Sequence, residues 1–149
     1  MHADFWHWVL DDPGRVATLQ AAVEERKELR HFAISGDYWI LSPTIGGAPT
    51  ALADPSRWAA WQLHDPTAEA GCVTVLRRPN ATAPSLALGL HGLMAAAQYN
   101  VSWTGVPPMG GEQSFRIARS QTMAGDKLTN LAVELEPSTS VVVRYAKVM

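Results

Sequence analysis

The side chains of this 149-residue chain that could do chemistry are its 14 carboxylates, five histidines and six tryptophans. Hydrolysis of a glycosidic bond needs two facing carboxylates, one to protonate and one to attack or to activate water. Asp37, Asp54 and Asp65 each stand beside a glycine or proline, where an aspartate ordinarily caps a turn. Glu134 and Glu136 share one parity with apolar neighbours on the other, the pattern of a solvated strand face. Asp4 is followed by Trp6 and Trp8, a grouping that can line a sugar pocket, but one carboxylate without a partner catalyses little. The residues therefore assign no catalytic group. His2, His7, His31, His64 and His91 show no metal-ligand spacing on one element, and Cys72 is the only cysteine, so a metal site is not expected and the histidines are read as surface or interface residues. Gly46-Gly47 and Gly110-Gly111 lack the strand–helix setting of a phosphate loop, and no nucleophile elbow occurs. No cofactor is implied.

Tryptophan serves either as a stacking platform for sugar rings or as core filling. Parity separates the two uses. Trp61 shares a face with Ala59 and Leu63, and Trp103 with Tyr99 and Val101, so both are expected in the core. Trp58 shares its face with Ala60, Gln62 and His64, which is half polar, and is expected to be exposed or to lie at an interface. Trp58, Trp39, Trp6 and Trp8 are the candidates for carbohydrate binding or for an interface with another domain.

Composition narrows the class. Apolar residues make up 47% and charged residues 17%, values of a globular chain rather than a disordered one. Net charge is −2 and no basic run exceeds Arg77-Arg78, so nucleic acid is not an expected partner. No apolar run approaches the about 20 residues of a membrane span, and Met1 to Trp6 is not a signal peptide, so no membrane association is expected.

The elements that must position these side chains change rhythm at Ser35-Gly36-Asp37-Tyr38-Trp39. Before it, Asp12-Pro13-Gly14 opens a helix whose Val16, Leu19, Val23, Leu29 and Phe32 recur at three- and four-residue spacing, with Gly36 as the stop. After it come short alternating segments: Tyr38 to Leu41, Trp58 to His64, Cys72 to Arg77, Leu86 to Leu90, Tyr99 to Trp103, Phe115 to Ala118, Leu131 to Leu135 and Val141 to Tyr145. Seven or eight such strands between turn signals predict a mainly β chain, an antiparallel β-sandwich preceded by one N-terminal α-helix. The expected organisation is an N-terminal segment over residues 1–35 and a β-sandwich domain over 36–149.

The ordered series of helix, Gly36-Asp37-Tyr38-Trp39, Trp58-Ala59-Ala60-Trp61-Gln62 with Asp65-Pro66, and Val73 to Arg77-Arg78-Pro79 resembles the C-terminal region of α-galactosidase-like glycoside hydrolases of family 36. Leu86 to Leu90 before Gly92-Leu93 and Tyr99, and the closing strand Ser140 to Lys147, extend the resemblance over roughly residues 14–148. It implies that the helix is the last one of a catalytic (β/α)8 barrel and that the β-sandwich packs on that barrel as a non-catalytic domain. The two catalytic aspartates of that family lie on earlier barrel strands and have no counterpart here. By itself the chain is then expected not to hydrolyse glycosides, with the parent enzyme's barrel as its partner. Alternative readings are a carbohydrate-binding module and a free-standing interaction domain that forms a homo-oligomer through the helix.

Overall fold

A computed structural model describes residues 11–42, 57–106 and 118–149. Two compact units divide the chain, Met1–His31 and Phe32–Met149. The described part of the first is the bulk of helix α1 (Pro13–Ser35), which continues into the second. Asp12 starts it as the sequence leads one to expect: its Oδ1 accepts the Gly14 amide at 2.8 Å, satisfying a backbone donor that has no intrahelical partner. Lys27 pairs with Glu24 at 2.8 Å on the solvent side. Leu19 and Val23 are each 43% exposed.

The helix ends where Gly36 donates its amide to the Phe32 carbonyl at 2.9 Å. A Cβ at position 36 would stand 2.5 Å from that carbonyl oxygen and 2.7 Å from the carbonyl oxygen of His64. Any other residue would force the backbone apart here, so the chain can turn from helix to strand at this point only through a glycine.

Among the described residues the second unit is mainly β, with eight strands in antiparallel sheets. They are β1 (Asp37–Ile40), β2 (Trp58–Asp65), β3 (Ala70–Arg77), β4 (Ser85–Ala87), β5 (Gln98–Val106), β6 (Ala118–Ala124), β7 (Ala132–Glu134) and β8 (Thr139–Lys147), with a short helix, α2 (Gly125–Thr129), between β6 and β7. Six strands form one sheet in the order β1-β2-β3-β8-β5-β6, and β4 pairs with β7 in a separate ribbon. Hydrogen bonds from Leu88 to the Leu131 carbonyl and from Leu90 to the Thr129 carbonyl carry the ribbon's pairing past its last strand residues. The core lies between the two layers. Val73, Val75, Val101, Val141 and Val143 come from the sheet, and Leu86, Leu88, Leu90 and Val133 from the ribbon and its extension. β-branched side chains suit that inner face because they pack well on a pleated surface.

Register fixes which tryptophan is inside. Trp58, Ala60, Gln62 and His64 do share one face of β2, and Trp61 the other, but the buried face is the reverse of the one expected. Trp58 is 4% exposed and belongs to the core cluster, whereas Trp61 is half-buried on the outer face. The Trp58 indole Nε1 donates to the Ala83 carbonyl at 3.0 Å, and the Arg77 guanidinium lies 5.6 Å from its ring centroid. Gln62 and His64 are buried beside it because each finds hydrogen-bond partners inside, and polar groups that are so satisfied do not mark a solvent face. Trp103 is partly buried against the same core.

The strand expected at Phe115 to Ala118 falls, except for Ala118, outside the described residues. β6 runs from Ala118 to Ala124 and pairs with β5 along its length. Its sequence, Ala-Arg-Ser-Gln-Thr-Met-Ala, has almost no apolar alternation. Among the described residues no helix is long and apolar enough to cross a membrane.

Candidate functional site

Trp6, Trp8, Asp4, His2, His7 and Asp54 lie outside the described residues. The other residues singled out from the sequence fall into two groups. Asp12 and Asp65 are caps: Asp65 Oδ1 accepts the amides of Thr67 and Ala68 at 2.8 and 3.1 Å at the β2–β3 turn. Glu134 and Glu136 are exposed. No group of three or more histidine, cysteine or acidic side chains converges among the described residues. Trp58, taken as an exposed platform, is sealed in the core and presents no ring to a ligand.

The second group meets at one end of the sheet and is built from β1, β2, β8 and the segment after β4. In the register of β1 against β2, Asp37 stands opposite His64 and Trp39 opposite Gln62. The next two pairings set His64 opposite Gly71, and Gly71 opposite Tyr145. Period-two alternation therefore points Asp37, Trp39, Gln62, His64 and Tyr145 to the same side. Gly71 is required between the two rings, because a Cβ there would collide with the Tyr145 hydroxyl and the Leu63 carbonyl.

His64, expected at the surface or at an interface, is 2% exposed. Its Nδ1 lies 3.1 Å from the Tyr145 hydroxyl, and the two rings stack with centroids 5.9 Å apart. Gln62 Nε2 donates to that hydroxyl at 2.7 Å and to the His91 carbonyl at 2.8 Å, while Gln62 Oε1 accepts the His91 amide at 2.9 Å. The side chain of Gln62 thus holds the backbone of His91 as a neighbouring strand would. Trp39 is half-buried, stacks on the His91 ring at 5.3 Å and tilts toward His64 at 6.2 Å. Gly92, at φ 75°, brings the chain against the imidazole; a Cβ there would be 2.6 Å from His64 Cδ2. Tyr99 extends the aromatic packing, edge-on to Tyr145 at 6.1 Å.

Electrostatics follow from that packing. Burial holds the His64 pKa below the ordinary 6.5, against the opposing pull of Asp37, Asp65, a backbone hydrogen bond with Ala70, and Glu69. Burial raises the Tyr145 phenol, only partly countered by the hydrogen bond from Gln62. The phenol therefore keeps its proton throughout the physiological range. A neutral imidazole, a neutral phenol and an amide, all buried, form a hydrogen-bonded network centred on the Tyr145 hydroxyl.

Elsewhere, Asn100, Ser102, Ser120 and Thr122 line a shallow hollow of about 250 Å³ on the outer face of β5 and β6. Thr122 donates to Asn100 Oδ1 at 3.0 Å across it.

Nothing in the sequence marks Tyr145 as the partner of His64, or Tyr145 and His91 as the partners of Gln62. The one local signal was parity, since Gln62 and His64 alternate with the apolar Trp61 and Leu63. The bonds themselves join residues 29 to 83 positions apart. The chain matches no protein-family model and no curated protein.

Proposed function

We propose that this chain is the non-catalytic C-terminal β-sandwich of an α-galactosidase-like glycoside hydrolase, which packs on the catalytic barrel and stabilises it, with α1 as the barrel's last helix. The observation that carries the reading is apolar surface left outward on both units. Leu19 and Val23 stand exposed on α1; on β1 Tyr38 is 56% exposed and Ile40 42%. Register sets Tyr38 opposite Leu63 and Ile40 opposite Trp61, so the outer face of the sheet edge carries a contiguous apolar strip. Contiguous apolar surface of this kind is a mark of a face made to be covered. The buried network at the sheet end supports the same reading, since its polar groups are spent on one another.

The test extends the coding sequence upstream and produces the longer protein. Its frame is expected to encode a (β/α)8 barrel, and Leu19→Asp with Val23→Asp is expected to lower its melting temperature. A frame closed directly upstream of Met1, or a melting temperature that the double variant leaves unchanged, would overturn the reading.

A further inference from the structure

The buried network of the β unit has a fixed direction. Gln62 cannot be turned round, because the His91 amide donates to its Oε1 and the His91 carbonyl accepts from its Nε2. Its remaining contact, at 2.7 Å, must then be a donation to the Tyr145 oxygen. Nε2 has no lone pair to offer in return. The phenol is neutral, so its proton needs an acceptor, and the imidazole Nδ1 at 3.1 Å is the acceptor in place. The chain of donations therefore runs from Gln62 to Tyr145 to His64, and it ends on an unprotonated Nδ1 with the ring's single proton on Nε2. The Nε2 edge is the one against which Gly92 packs, 2.8 Å from where its Cβ would be. Since His91 and Gly92 are adjacent, the network closes on itself and staples β2, β8 and the segment after β4 together.

We propose that this one-way relay is a pH-sensitive latch: protonation of His64 converts its acceptor into a donor, sets two donors against the Tyr145 hydroxyl, and releases the His91–Gly92 segment from Gln62. The phenol would then receive from both sides and have nowhere to place its own proton. A buried donor left without an acceptor is the outcome folded chains avoid. Several charged or titratable groups face the imidazole: Asp37 from β1, Asp65 from β2, Glu69 from the β2–β3 turn and Tyr145 from β8. His91 lies beside them from the segment after β4, its ring against Trp39. Glu69 is engaged by Lys147 at 2.6 Å, which blunts its pull on His64. Because the folded chain holds His64 below 6.5, the unfolded chain takes up the proton first as pH falls. The latch is at full strength above about pH 6.5 and is lost as pH falls from there through the depressed value.

Two measurements on the intact chain test this. Nitrogen–proton correlation spectra of the imidazoles should show His64 as the Nε2–H tautomer near neutral pH; an Nδ1–H tautomer overturns the proposal. Amide exchange should show the protection of the His91 amide falling by about tenfold or more between about pH 8 and about pH 5, beyond the intrinsic pH effect. His64→Gln should abolish that fall and His91→Gln should keep it. A fall that survives His64→Gln, or one that His91→Gln removes, overturns the proposal. If His64→Gln does not fold, Tyr145→Phe, which removes the hydroxyl that fixes the direction, should flatten the same profile, and an unflattened profile has the same consequence.

Discussion

Tyr145→Phe removes one oxygen from the interior and leaves the ring in place, so its effect isolates the hydrogen-bond network. Tyr145 is 2% exposed, and its hydroxyl serves Gln62 and His64. Without it, His64 Nδ1 becomes a buried acceptor with no donor, which costs about 1–3 kcal/mol. Gln62 Nε2 keeps the His91 carbonyl at 2.8 Å but loses its second acceptor, which adds about 0.5–1.5 kcal/mol. The sum is about 1.5–4.5 kcal/mol near neutral pH, where His64 is uncharged. For a chain of this length that corresponds to a melting temperature lower by about 5–14 °C. Urea and thermal unfolding of the intact chain measure both. Tyr38→Phe is the matched control. Tyr38 is 56% exposed on the opposite face, so the same chemical change there should stay within about 0.5 kcal/mol. Equal effects of the two substitutions would refute the network, because burial and partnering are what distinguish the two sites.

Trp58→Ala should cost about 3–5 kcal/mol in urea unfolding, the penalty of emptying a core site, and clearly more than Trp61→Ala on the outer face. The opposite ranking would mean that the other face of β2 is buried. Gly71→Ala should destabilise by about 1–3 kcal/mol, because the new methyl meets the Tyr145 hydroxyl and the Leu63 carbonyl; an unchanged unfolding midpoint would contradict that close approach.

Much of the fold was legible in the sequence because its signals are local. The Asp12 cap, the Gly36 stop and the alternation of Val133, Val141 and Val143 each express a rule that acts over a few residues. β6 was not legible: among the described residues it is an edge strand paired on one side, which needs no apolar run, and Ala118 to Ala124 has none. Leu88 and Leu90 alternate like a strand, yet β4 stops at Ala87; what continues beyond it is hydrogen bonding to the Leu131 and Thr129 carbonyls. The sidedness of β2 was also hidden. Alternation shows which residues share a face, but which face is covered depends on Tyr145 and His91, far along the chain. Polar Gln62 and His64 pointed to solvent because their partners could not be seen from β2 alone. The sheet-end network is illegible for the same reason, since it is assembled by register across strands distant in sequence.

The most direct test of the accessory, non-catalytic role is the hydrolysis of para-nitrophenyl α-galactoside, measured for the isolated chain and for the protein encoded by the extended reading frame. The longer protein should release nitrophenol and the isolated chain none. Turnover by the isolated chain, or none by the longer protein, would contradict that role.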